Sequence, residues 1–369
     1  MTKGTLVTIE SGERGEADRD SGSFIDWDFA LATASRLAGP GPKVTTHEAA
    51  GVVADLRRAA DRAHDPVAET SRLTSPPGSA PVLVVDRGGW AAANIGSMRA
   101  LMDPVVAKIV GGMQSPKAPS AAAAAVGGKV TGAETGALLG FMASKVLGQY
   151  DLAPQGDPRL LLVAPNIVHA EREMGVSPRD FRLWVAMHEE THRVQFTAVP
   201  WLRDHMIERT RTLAVDLAPT PAEFAERVRE ISQRLPEAFQ SGSTGLVEIF
   251  LTPGQKAKVA EITAVMSLLE GHADVVMDDV GPSVIPTVAD IRAKFTERRA
   301  GLGPIDRFLR RILGLEAKMR QYRDGAIFVR AVVDRVGIDD FNAVWTSPET
   351  LPTAAEMADP QTWVSRVHG

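Results

Sequence analysis

The sequence predicts a mainly helical α+β chain with one small β-sheet. Three observations carry that prediction: long segments whose apolar residues recur at helical spacing between clear start and stop signals, a few short strand-like runs, and a stripe of small residues every fourth position. With 44% hydrophobic and 24% charged residues, the 369-residue chain has the composition of an ordinary globular protein. Residues 1–23 contain the strand-like Thr5–Ile9 and then a charged run with little to bury, which predicts a flexible N-terminal segment. Residues 24–369 are expected to form a single domain, with an inserted helical region at about 215–250 where Pro219, Pro221 and Pro236 mark breaks.

In chain order, Phe24 to Leu37 is amphipathic and stops at Gly39-Pro40-Gly41-Pro42. Thr45 with Glu48 three residues later reads as a capping box that opens a helix through about Ala63, with His47 facing solvent in its first turn. Pro81–Asp86 reads as a strand, and a helix to about Gly111 follows Arg87-Gly88-Gly89-Trp90. Gly128, Gly132, Gly136, Gly140, Ser144 and Gly148 recur every four residues, a stripe that lets another backbone approach closely. Lys129, Glu134 and Lys145 interrupt that run, so a tight internal helix crossing is expected rather than a membrane span, with a homo-oligomer contact as the alternative. Leu160–Pro165 reads as a buried strand whose edge could hold an extended peptide.

Ser177 to Phe196 is the most informative stretch. Ser177 suits a helix N-cap, Pro178 the first helical position, and Asp180 the positive end of the helix dipole. Phe181, Leu183, Trp184, Val185, Met187, Val194 and Phe196 make the helix apolar over most of its circumference. Within it stands His188-Glu189-x-x-His192. Residues four apart share a helix face, so the two imidazoles can address one cation, while Glu189, about 100° round the helix, can reach a water beside it as a general base. Pro200-Trp201 ends the helix, and His169 and His205 nearby are expected to be packed or exposed rather than ligands.

A catalytic zinc needs a third protein ligand and an open position. With no cysteine in the chain, that ligand is a histidine or a carboxylate. Thr252, Pro253 and Gln255 start a helix expected to run to about Val280, before Gly281-Pro282. On it Glu270 and Asp274 share a face, making Glu270 the favoured third ligand and Asp274 the acceptor for a ligand histidine's other ring N–H. His272 is the alternative ligand. Further on, Thr287 caps a helix to about Arg299, Pro304 opens another, and Gly325 and Gly337 punctuate the rest. Arg307, Arg310, Arg311, Lys318, Arg320 and Arg323 form a basic stretch expected to be a solvated face, with binding of an acidic partner or phosphorylated ligand as the alternative. Tyr322 is a candidate catalytic donor to a tetrahedral oxyanion.

His188-Glu189-x-x-His192 with the later Glu270-x-x-x-Asp274 resembles the gluzincin form of zincin-like metallopeptidases. The resemblance implies one zinc, Glu270 as third ligand and Asp274 as its supporting acid. Segments around Trp27, Trp90–Asn94, Gln149–Asp151, Phe181–Trp184, Gln195–Trp201, Leu268–Asp274 and Phe341–Thr346 are similar to an actinobacterial zincin-like family associated with deazaflavin coenzyme biosynthesis. Glu270 lies 78 residues beyond His192, a longer gap than compact gluzincins have.

The implied function is hydrolysis of a peptide or similar amide by Glu189-assisted attack of water activated by zinc. The alternative is a non-catalytic, metal-stabilised binding or scaffold protein, including an accessory in deazaflavin metabolism. The expected partner is a peptide or protein substrate. A net charge of −5 gives no argument for nucleic acid or an anionic membrane. Without an apolar leader-like run near Met1 or a span-length apolar segment, a cytoplasmic location is the expectation.

Overall fold

The computed structural model describes residues 25–112, 121–217, 252–300 and 315–369, with the side chains of residues 107–112, 121–124, 299–300 and 315–323 outside that description. The expected strand at Thr5–Ile9, the flexible segment 1–23, nearly all of the insertion at 215–250, the helix opened by Pro304 and the side chains of the basic stretch lie outside the described residues. The chain divides into two compact units. The first comprises Met1–Val106, Gln114–Ala198 and Val280–Lys294, and the second Ala107–Met113, Val199–Asp279 and Phe295–Gly369.

The first unit is helical around a three-stranded sheet. Helix α1 (Trp27–Ala38) starts three residues later than the apolar pattern suggests, because the Asp26 carboxylate accepts from the Phe29 N–H at 2.9 Å and sets the cap. Helix α2 (Thr46–Ser71) has the expected capping box at Thr45 and Glu48 but continues well past Ala63, through Pro66. A proline inside a helix removes one ladder bond. Here the buried face persists through Ala63, Val67 and Ser71 at four-residue spacing, and burying it offsets the loss.

Strand β1 (Val82–Val85) leads into α3 (Arg87–Gly112), followed by α4 (Ala121–Ala143). The glycine stripe packs α4 on α1 as a close internal crossing: a Cβ on Gly132, Gly136 or Gly140 would lie 2.5, 2.4 or 2.8 Å from the carbonyl oxygen of Asp26, Ala30 or Ala34. That face packs on α1 within the chain, the tight internal crossing expected of the stripe. The helix stops at Ala143, so Gly148 belongs to a different element despite its spacing.

Strands β2 (Gly148–Asp151) and β3 (Arg159–Val163) complete a sheet of order β1-β3-β2, with β1 parallel and β2 antiparallel to β3. Leu160, Leu161, Leu162 and Val163 are fully buried, as an apolar run in a central strand should be. The edge expected at Leu160–Pro165 is thus not open: β3 is paired on both sides, Ala164 already begins α5 (Ala164–Met174), and β1 and β2 are the edge strands among the described residues.

Helix α6 (Pro178–Ala198) packs against α2 and the sheet. It is held in orientation by charge as well as by its apolar faces. Arg182 donates to both oxygens of buried Glu171 on α5, at 2.9 and 2.6 Å, and to Asp55 on α2 at 2.8 Å. Such a bidentate pair fixes direction as a lone point charge does not.

The second unit is helical throughout its described residues. It contains α7 (Leu202–Leu217), most of α8 (Pro253–Val284), part of α9 (Val288–Ala300), α10 (Leu315–Phe341), α11 (Ala354–Ala358) and α12 (Pro360–His368). The breaks expected at Gly281 and Gly337 are present as positive-φ residues, at 61° and 83°. Gly325 instead stays within a continuous helix. A Cβ there would fall 1.9 Å from the Ser267 carbonyl oxygen, and one on Gly271 would fall 2.1 Å from the Gly325 carbonyl carbon, so this pair of glycines permits a backbone-to-backbone crossing. No helix among the described residues is long and apolar enough to cross a membrane.

Candidate metal centre

Helix α6 is buried along most of its length, and His188, His192 and Phe196 form a half-buried stripe at four-residue spacing. That stripe is what the helical period predicts. The imidazoles of His188 and His192 stand edge to face, with ring centroids 4.9 Å apart. One turn earlier, buried Trp184 stacks near-parallel on His188 with centroids 6.4 Å apart, restricting its ring.

A metal ligand must be a neutral imidazole with its lone pair on the coordinating nitrogen. His192 Nδ1 lies 3.0 Å from the side-chain oxygen of Gln195. That oxygen accepts the Nδ1–H and leaves the lone pair on Nε2. Gln195 is fully buried and was not singled out in the sequence. Its signal was an amide three residues after a candidate ligand on a helix read as buried.

Glu189 is 7% exposed, and the floor beneath its carboxylate is the backbone of β2. A Cβ on Gly148 would lie 2.5 Å from Glu189 Cγ, 2.6 Å from Cδ and 2.8 Å from Oε1. Gly148, the first residue of β2, is therefore glycine for a reason its four-residue spacing does not give: the glutamate side chain fills the volume a larger residue would take. Next along β2, Gln149 exchanges hydrogen bonds with Asn94 at 3.0 and 3.3 Å, and Tyr150 stacks on Phe196 of α6 at 4.9 Å between ring centroids. These contacts seat β2 on α6 and α3.

On α8, Glu270 and Asp274 are both half-buried, one turn apart, whereas His272 is fully buried. The His272 ring packs against Phe341 and Trp345, with centroids 5.6 and 5.5 Å away. His188, His192 and Glu270 each offer one ligand atom, all three within 4.8 Å of one another, and this group could hold a metal ion. Two imidazole nitrogens and a carboxylate oxygen are donors zinc accepts at about 2.0–2.2 Å, so the donor set fits that ion. His272 is not among the three. Exposed His47 lies in the first turn of α2, exposed His169 lies 3.9 Å from Glu173, and His205 packs edge-on to Trp201, so these histidines take the bland roles expected of them. The Tyr322 side chain lies outside the described residues.

The zincin-like metallopeptidase family matches residues 25–364, and the chain belongs to it. A protein from Chloroflexus aurantiacus, whose crystal structure is described as that of a candidate hydrolase with a novel fold, is 29% identical. The TM-score to that structure is 0.65, with 93% of this chain and 99% of the other covered. No curated protein matches the chain. The relationship extends across nearly the whole chain, the His188–His192 helix included in its span.

Proposed function

We propose that the protein is a zinc-dependent hydrolase of peptide or similar amide bonds, with His188, His192 and Glu270 as the ligands of a single ion. The observation that carries this reading is the His188, His192 and Glu270 donor group on a chain of the zincin-like family. Zinc, when bound, supplies Lewis acidity that makes water acidic near neutral pH and polarises a carbonyl oxygen.

Glu189 is the general base: its carboxylate takes one proton from the attacking water and passes it to the leaving nitrogen as the C–N bond breaks and the new C–O bond remains. Burial against Gly148 limits the rotation of that carboxylate, so less entropy is lost in reaching the reactive geometry. Gln195 holds the His192 ring, and we assign Asp274 the role of acceptor for a ligand histidine's other ring N–H. Tyr322 is proposed as the donor to the developing oxyanion. The substrate is taken to be an extended peptide lying along β2, the sheet edge beside Glu189, and the protein to be cytoplasmic.

Elemental analysis of the purified chain tests the ligands before any substrate is known. Wild type should carry one zinc per chain, and His188→Ala and Glu270→Ala should lose it. Glu189→Gln should keep the ion and lose cleavage of a broad peptide library. Full occupancy in the Glu270→Ala variant would remove Glu270 from the site. Metal-dependent melting with no library member cleaved by wild type would instead favour the scaffold reading. Direct deazaflavin binding that survives chelation would favour the accessory role.

A further inference from the structure

A second polar cluster lies on α6 about 200° round the helix from His188, and the metal chemistry makes no use of it. Glu190 is fully buried, and an ionised carboxylate there requires donors. It has three: Arg193 Nη2 and His64 Nδ1 donate to Oε1 at 2.7 and 2.8 Å, and Arg193 Nε donates to Oε2 at 2.7 Å. Arg193 Nη1 also donates to the Ser79 carbonyl at 3.0 Å. The guanidinium is thus locked in place with its charge matched by one carboxylate.

Beside this cluster lies a cavity of about 530 Å³ lined by Arg57, Ala60, Asp61, His64, Val82 and Arg193. A volume of that order suits a small-molecule ligand. The polar lining is rich in donors. Arg193 uses three of its five N–H groups in the bonds above, Arg57 brings another guanidinium, and His64 has committed Nδ1 to Glu190, leaving Nε2 for a ligand. Asp61 is the one carboxylate in the lining.

We propose that this cavity is a binding site for a small oxyanion of the phosphate or carboxylate class. Arg193, held rigid by Glu190, presents its remaining N–H groups at little entropic cost, and Arg57 closes on the anion from α2. Asp61 accepts a proton-bearing group of the same ligand, the O–H of a monoprotonated phosphate or the ammonium of an amino acid. The site stands independently of the proposed hydrolase activity.

Titration calorimetry on the full chain tests it, with inorganic phosphate and acetate in separate arms, chloride at matched ionic strength as the control, and zinc-loaded and chelated protein compared. Saturable binding in at least one arm, present with or without zinc and weakened about tenfold in Arg57→Gln, supports the site. Arg57 is exposed, so the substitution leaves the core intact. Absence of saturable binding in both arms overturns the proposal. Binding that disappears on chelation, or that Arg57→Gln leaves unchanged, also overturns it by locating the anion elsewhere.

Discussion

At the scale of single residues, the protein depends on how a few buried polar groups are partnered. Glu189 and Glu190 are adjacent and both buried, yet they serve different surroundings because they point about 100° apart around α6. Glu189 rests on a glycine, and Glu190 is saturated by Arg193 and His64. Gly148→Ala would thrust a methyl group into the Glu189 carboxylate. Under the proposed mechanism, zinc content should stay at one per chain while kcat falls at least about tenfold, the cost of displacing a base by a fraction of an ångström to an ångström. Paired metal analysis and turnover measurements check this, and unaltered turnover would mean that β2 does not position the base.

A second residue-scale prediction concerns acid stability. Burial raises the Glu356 pKa, but the Arg366 guanidinium and the Thr353 N–H and hydroxyl outweigh it, holding the carboxyl below its ordinary value. A depressed folded-state pKa stabilises the protein at pH above the unfolded value, and that contribution disappears as pH falls through the folded value. Glu356→Gln should therefore cost about 1–3 kcal/mol at neutral pH, and less once the medium is acid enough to protonate the wild-type carboxylate. Denaturant melts at pH 7 and pH 3 would measure the difference.

At the scale of elements, glycine placement decides which helices can touch. Two glycines of α4 make opposite predictions for the same substitution. Gly136→Ala must fit a Cβ 2.4 Å from the Ala30 carbonyl oxygen, so overpacking should cost about 1–3 kcal/mol despite alanine's better helix propensity. Gly127 has open space around its Cβ position, so Gly127→Ala should stabilise by about 0.5–1 kcal/mol. Thermal melts of the two variants side by side separate packing from propensity. The stripe was legible in the sequence as a close crossing, although its partner α1 was not, since nothing local in α4 names the helix that will lie on it. The extension of α2 through Pro66 was likewise hidden: a local breaker rule marks the proline, and only the continued burial of Val67 and Ser71 overrules it.

At the scale of the whole molecule, a metal bound by the native chain and not by the unfolded one adds stability by mass action. Chelation should lower the melting temperature by several degrees, reflecting about 4 kcal/mol when zinc stands about a thousandfold above its dissociation constant. The shift should be absent in His188→Ala, which scanning calorimetry with and without chelator will show.

The amino-acid order by itself determined the helical class, the caps and breaks at Thr45, Gly281 and Gly337, and the pairing of His188 with His192 and Glu189. All of these follow from the helical repeat and from backbone rules that act within a few residues. Tertiary structure decided that Gly148–Asp151 would be an outer strand of the sheet, that Gly148 would make room for Glu189, that Gln195 would hold His192, and that His64 would reach Glu190. The contacts of Gly148 with Glu189 and of His64 with Glu190 join residues tens of positions or more apart. A short polar strand or a single histidine carries no local mark of the partner that folding brings to it.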